Sequence, residues 1–409
     1  YTLILKDLGR DAKQTELETK HPSYDASFFD CACRLPGSYT PKGIVDHIQM
    51  LGYAKLPGNK YLINWPNCGN DYFLDWPNMT FEEVQKGISD AKQHTLNFVY
   101  YIQHELGFKN LIVHNEFNTN DSFPWIPYHR ESRRLKGLVQ LTVNEVRNPY
   151  AYDLFKTGIA VGDYPIDHHH DKNPNAPKID FIGIKVPSYN VPLGSLIPKE
   201  IPHFIVAEKN ISVTNIVNGA TRLQPVVLGI GQAAGAVAAL ALNMDIHPKD
   251  VAVRDVQKAL LAEQVYLMPF IDVKPSDKAF YAIQKIGVTG ILKGQGVSYK
   301  WANQTWFYPN AFLSRYELID GLKKYYSIFS GLEGSGEFVD FSFFKALLDS
   351  AKFTSEPIDE SALMTMGLSQ YISQPQKPMT RSALAIMLDI VLDPFSLAID
   401  HHGKLILSD

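Results

Sequence analysis

Residues 226 to 242 read VVLGIGQAAGAVAALAL, and the fold turns on whether this is the glycine-rich turn of a dinucleotide site or a stretch that needs small residues for another reason. The dinucleotide fingerprint places glycines first, third and sixth, directly after a strand and opening a helix. Gly229 and Gly231 fit, but the next glycine is Gly235, one place late. A second strand with an acidic residue roughly 20 positions on should follow to hold the ribose. NMDIHPKDVAVRDVQKALLAEQ follows instead, a turn and a second amphipathic helix. The stretch therefore fails as a self-contained nucleotide unit. It reads as a helix over 225–242, with Pro225 in the first turn, where a missing N–H costs nothing. Two uses of its small residues stay open at this point. The bare amino end could face an anion or an electron-rich ring through unpaired N–H groups, or the helix could pack closely on a neighbour.

The whole chain, with 409 residues, 45% hydrophobic and 20% charged, is globular and long enough for two or three domains. A net charge of -4 and the lack of a basic run give no electrostatic case for nucleic acid. The Ala-rich 225–242 stretch is short for a membrane span, so no span is expected. Cys31, Cys33 and Cys68 give neither an even disulfide framework nor a zinc spacing and are read as buried thiols; no metal site is expected. An opening Tyr1 that runs straight into YTLIL is how a proteolytic fragment begins, so a signal peptide or an upstream domain could precede it.

Three regions separate. Residues 1–190 are rich in Tyr, Trp, Pro and Asn, which suits loops lining a substrate cavity or a Pro-rich irregular shell. One strong helix lies within them: Thr80 and Glu83 form a capping box, Val84, Ile88, Ala91, Phe98, Ile102 and Leu106 form the apolar face, and Gly107 closes it. Arg130, Arg133 and Arg134 read as helical, able to clamp a carboxylate or phosphate or to pair with Glu131 and other acids. DYPIDHHHD sets Tyr164, Asp167, His168, His169 and His170 on one turn, where three adjacent histidines point in different directions and do not make one metal site. In residues 191–262, HFIVAEKNIS reads as a short buried strand near 204–208; a loop carrying Arg222 and then the small-residue helix follow it.

Four blocks in order, WIPYHRESRRLKG (125–137), GIAVGDYPIDHHH (158–170), VPSYNVPLGSLIPKEIPHFIVAEKNIS (186–212) and GATRLQPVVLGIGQAAGAVAALAL (219–242), resemble the later portion of a family of bacterial FAD-dependent oxidoreductases with the glutathione-reductase-type flavin fold. The resemblance covers residues 20–245. It implies a substrate or cap region over 1–190 and the C-terminal part of an FAD-binding domain over 191–262. It implies that Arg222, Gly229, Gly231, Gln232, Ala233 and Ala234 lie at the flavin, with the amides around Gly231 to Ala233 facing the ring. His168 would then be a proton donor beside the flavin, with Tyr164 and Arg130 as its catalytic companions. The chain departs from the family in one respect: no strand followed by G-x-G-x-x-G occurs between Tyr1 and Asp409, so the FAD site is expected to be incomplete.

Residues 263–409 contain a repeat. Phe-x-Asp-Val at 270–273, Gly-Ile-x-x-Gly at 290–294, Phe-x-Pro at 307–309 and Ser-Arg-x-Glu at 314–317 resemble an S-layer homology repeat, and a degenerate copy runs from Phe338 to Thr380 and beyond. Ser314 and Thr380 are natural N-caps. The second copy lacks the Gly-Ile-x-x-Gly and the Glu after its Arg, which favours a structural appendage over cell-wall glycan binding. The expected fold class is α/β, an α+β substrate region plus part of an FAD-binding domain, with an all-α C-terminal repeat domain. The expected function is a flavin oxidoreductase acting on a small molecule or carbohydrate, in an extracytoplasmic location. The competing reading is a secreted glycan-binding protein, or a lyase or hydrolase using Tyr164, His168 and Arg130 without redox chemistry.

Overall fold

A computed structural model describes residues 1–9, 19–30, 47–65, 68–169, 173, 175, 183–351 and 358–406. The chain forms two compact units, Tyr1–Ser132 with His169–Lys178, and Arg133–His168 with Ile179–Asp409. Cys31, Cys33 and His170 lie outside the described residues.

The first unit is a sheet with one long helix. Strands β1 (Leu3–Asp7), β2 (Lys55–Leu56), β3 (Lys60–Ile63) and β4 (Leu111–His114) pair antiparallel in the order β2-β3-β1-β4. A short helix, α1 (His47–Ala54), precedes β2. The long helix α2 (Phe81–His104) begins at the capping box that its sequence encodes: the Thr80 amide donates to Glu83 Oε2 at 2.7 Å, and the Glu83 amide to Thr80 Oγ1 at 3.3 Å. Its end is set by Gly107, at φ +80, where a side chain would be strained. Phe98, Val99 and Ile102 carry its buried stripe into a core with Leu3, Leu5, Phe29 and Ile63; each such large side chain contributes roughly 1.5–3 kcal/mol. Cys68 is disulfide-bonded, which corrects the expectation of a free buried thiol there.

In the second unit, β5 (Gly158–Gly162) and β6 (Tyr189–Pro192) form an antiparallel pair with a bulge between Gly158 and Ala160. Short α3 (Val143–Arg147) and α4 (Asn215–Thr221) meet each other, and α5 (Gln224–Met244) lies on β5. Helix α5 starts with Pro225 in its first turn and stops at Asp245, whose left-handed backbone (φ 53) lets the Ile246 amide reach the Ala241 carbonyl at 3.0 Å. Val226, Ile230, Ala233, Ala234, Val237 and Ala241 form its buried stripe, while Leu228 and Leu242 on the other side are 74% and 81% exposed. At 21 residues and a window hydropathy of 1.8, α5 is long and apolar enough to cross a membrane, longer than the sequence reading allowed, yet a third of that window is packed inside the unit. Two other expectations fail. Residues 204–208 form no strand, and Arg130, Arg133 and Arg134 are not helical.

The amphipathic α6 (Val253–Ala262) follows, and then α7 (Phe280–Thr289). The tail also contains a two-stranded ribbon of β7 (Gln295–Val297) and β8 (Gln304–Trp306), so it is not all helical. Helices α8 (Arg315–Lys323), α9 (Phe341–Ala351), α10 (Glu360–Thr365), α11 (Ser369–Ser373) and α12 (Arg381–Val391) complete it. Ser314 and Thr380 cap α8 and α12 as their sequence demands. The corresponding segments of the two copies bridge each other, Phe312 with Thr380 and Ser314 with Phe338. One continuous core runs from Leu141 through α5 and the tail to Ile399.

Candidate functional site

The small-residue helix answers its own question residue by residue. Gly229 is a packing glycine: a Cβ there would lie 3.0 Å from Ala160 Cβ on β5, so only a bare position lets helix and strand approach this closely. Gly231 and Gly235 are different. A Cβ at Gly231 would meet only the Ala207 carbonyl, at 3.6 Å, and one at Gly235 would meet nothing within 4 Å. On the outer face of α5 they are two positions without side chains, set beside the exposed side chains of Leu228 and Gln232. Ala233 and Ala234 point inward, into the core.

Because α5 begins at Gln224, the amides of Gly231, Gln232 and Ala233 lie well inside it, where carbonyls four residues back take them up. The donors without helical partners are those of the first turn, and no side chain caps them. What positions 231–235 offer a ligand is therefore a surface, while the polar contribution comes from the uncapped end and its positive dipole.

Beside that end sits a polar cluster. Arg222, 6% exposed, donates to Asp167 Oδ2 at 3.0 Å and to the Asp167 carbonyl at 3.4 Å. The Tyr164 hydroxyl lies 3.5 Å from the same carboxylate. His168 Nε2 is 3.0 Å from the Ile216 carbonyl of α4; a carbonyl only accepts, so Nε2 carries the proton. The structure brings Tyr164 and His168, read from the sequence as catalytic, into one cluster with Arg222, read as cofactor-binding, and Asp167, which joins Tyr164 to Arg222, is not among the site residues read from the sequence. Gly219 makes the arrangement possible: a Cβ there would stand 2.5 Å from the Asp167 carbonyl and 2.6 Å from His168 Nε2. We expect Gly219→Ala to push the 167–168 segment off α4 and destabilise the protein by about 1–3 kcal/mol, read as a lowered thermal midpoint; an unchanged midpoint would show that the segment yields freely.

Sequence reasoning missed the tail's contribution. The exposed ring of Trp301 stacks on Tyr164, centroids 6.0 Å apart and 25° from parallel, and the Asn303 amide donates to the Asp163 carbonyl at 2.7 Å. An exposed tryptophan in a polar loop was the available signal. A cleft of about 650 Å³ opens nearby in the same unit, lined by Tyr150, Ser188, Tyr189, Met268, Gly294 and Thr305 among others. None of residues 222 to 234 lines it, although the sequence reading places a cavity at the amino end of α5.

Arg130 belongs to the first unit, where it forms a 2.6 Å ion pair with Asp71 and lies over the Tyr128 ring. That unit has its own cleft of about 560 Å³. Phe28, Tyr72 and Phe73, all more than a third exposed, line it with Asp25, Asp90, Gln93 and His94. His94 is held by the Gly69 carbonyl at 2.9 Å and packs against Phe29 and Tyr72.

Residues 7–260 match the family model described as FAD dependent oxidoreductase. No curated protein and no solved structure matches the chain.

Proposed function

Since the chain belongs to the family of FAD-dependent oxidoreductases, with FAD as its cofactor, we propose that the open face and amino end of α5 form the ring edge of the flavin site. The observation that carries this reading is the pairing of two positions without side chains on the outer face of α5, Gly231 and Gly235 beside exposed Leu228, with an uncapped helix end next to buried Arg222. A planar ring needs such a surface, and reduction develops negative charge that a helix amino end and a guanidinium favour. The residues present fit this part of the cofactor. FAD supplies hydride-accepting chemistry when bound. The protein's own side chains orient and move protons around it: Asp167 holds Arg222 and Tyr164, the Ile216 carbonyl holds His168, and His168 serves as the proton donor.

The substrate in this reading is a small molecule, and a carbohydrate suits the first unit's cleft, where exposed aromatic faces stand beside carboxylates. The tail acts as a structural appendage. Arg315 is paired with Glu337 and Asp340, and Arg381 is buried on the Phe307 ring with its Nε 2.7 Å from the Phe307 carbonyl, so both repeat arginines are occupied within the fold. The disulfide at Cys68 supports an extracytoplasmic location.

Titration with FAD, followed by the bound-flavin absorption near about 450 nm, tests the reading. The pyrophosphate grip of a G-x-G-x-x-G turn is not encoded between Tyr1 and Asp409. These 409 residues alone are therefore expected to bind weakly, and a longer chain that adds such a turn to bind tightly. Tight binding by residues 1–409 alone would overturn this division of the site, and colourless protein in the longer form would overturn the flavin reading.

A further inference from the structure

Away from the flavin edge, beyond the carboxyl end of α5, two histidines face each other. His203 Nδ1 and His247 Nδ1 are 3.3 Å apart, their rings 71° from coplanar with centroids at 4.3 Å. Each belongs to a turn fixed by a neighbouring proline, Pro202 before His203 and Pro248 after His247. The second turn is well anchored. Asp245 reverses the chain in the left-handed region, His247 holds an extended backbone (φ -74, ψ 149), and the Asp250 amide donates to the His247 carbonyl at 2.9 Å. The Lys249 carbonyl lies 3.0 Å from His401 Nε2, which ties the turn to the chain's last segment.

Two ligands bound to one metal at about 2.0–2.1 Å with a tetrahedral angle between them stand about 3.3–3.4 Å apart, whereas the right angle of a square-planar centre brings them to about 2.9 Å. The observed 3.3 Å matches the first, and the rings, whose centroids now stand 4.3 Å apart edge to face, must swing outward to about 5 Å for both Nδ1 lone pairs to face one ion. We propose that His203 and His247 form a two-imidazole site for a tetrahedral divalent transition metal, Zn²⁺ by preference. Both rings coordinate through Nδ1 and keep Nε2–H outward. Among the described residues no third His, Cys, Asp or Glu joins them, so water or an external anion completes the shell. Imidazole nitrogens without carboxylates disfavour Ca²⁺ and Mg²⁺, which take oxygen ligands.

The alternative use of the same distance is a hydrogen bond with one proton between the rings, and metal titration separates the two. Calorimetric titration of the full 409-residue chain with Zn²⁺ in a non-chelating buffer should give one ion per chain. Co²⁺ in its place should give the intense visible bands of tetrahedral coordination. His203→Ala and His247→Ala should each weaken Zn²⁺ binding by at least about 100-fold, since even outer-shell losses cost 10–100-fold, with unchanged circular dichroism. His402→Ala, a surface histidine on another turn, should leave binding unchanged. The proposal is overturned by absent Zn²⁺ binding in the parent chain, by binding that survives either substitution, or by octahedral rather than tetrahedral Co²⁺ spectra.

Discussion

Arg254→Ala is expected to lower the thermal midpoint of the protein by about 6–20 °C, the equivalent of about 3–5 kcal/mol at roughly 2–4 °C per kcal/mol for a unit of this size. Arg254 is 3% exposed, and among the described residues no carboxylate pairs with it. Its charge is held by neutral groups: the Tyr325 hydroxyl at 2.7 Å, Gln257 Oε1 at 2.6 Å, the Leu397 carbonyl at 3.4 Å, the Lys156 carbonyl at 3.5 Å and the face of Phe395 at 4.6 Å. Burial pulls its pKa down, with Tyr325 acting against that. Truncation would empty the volume of the side chain and strand several buried acceptors together, each costing about 1–3 kcal/mol without a partner. The effect should reach the strand under α5, because Gln257, which Arg254 orients, donates through Nε2 to the carbonyls of Lys156 and Gly158 at 2.9 Å, and Gly158 opens the strand beneath Gly229. Arg254→Met keeps the stem's packing and removes the charge, so its loss should be smaller. A calorimetric midpoint for Arg254→Ala within 2 °C or so of the parent would show that water enters and replaces the guanidinium.

What could be read from the sequence was whatever short-range chemistry settles. The Thr80–Glu83 box and the N-caps at Ser314 and Thr380 each satisfy a donor within one turn, and Pro225 starts α5 by bringing no N–H that needs one, so local spelling fixes local structure. The segment from 133 to 139 carries helical spelling but is claimed by distant partners. The Leu135 amide donates to the Asn210 carbonyl at 2.9 Å and the Leu138 amide to the Ile197 carbonyl at 2.9 Å, and these pairings replace the helical ladder. Conversely, the apolar run at 204–208 has a strand's composition but, among the described residues, a single such backbone tie, from the Val206 amide to the Leu196 carbonyl, and no paired strand. The Asp167–Arg222 pair and the Tyr164–Trp301 stack join segments remote in the chain, and nothing local in either partner announces the other. The Gly/Ala stretch hid two functions in one pattern: a glycine that lets a strand come near and glycines that leave space open look alike until the helix's face is known.

That distinction allows binding to be separated from folding by substitution at three glycines of one helix. Gly235→Ala should stabilise the protein by about 0.5–1 kcal/mol, because the position is exposed, mid-helical and clear of neighbours, and alanine is the better helix former. Gly229→Trp should fail to fold, since even a methyl there would crowd Ala160 at 3.0 Å. Gly231→Trp and Gly235→Trp fall between these extremes. Their side chains would project from the open face, so the fold should survive while the ring of the substituted residue covers the surface assigned to the flavin. In a form of the protein that binds FAD tightly, each is expected to weaken FAD by at least about 100-fold, roughly what the loss of 2.7 kcal/mol implies, with circular dichroism and thermal midpoint near the parent's. Flavin fluorescence titration of both against the parent makes the comparison. Parent-like affinity in both would mean that the ring lies elsewhere and that the two bare positions of α5 serve the packing of some other surface; a loss confined to Gly231→Trp would instead place the ring over the first turns of the helix, next to Arg222 and the first-turn amides that no side chain caps.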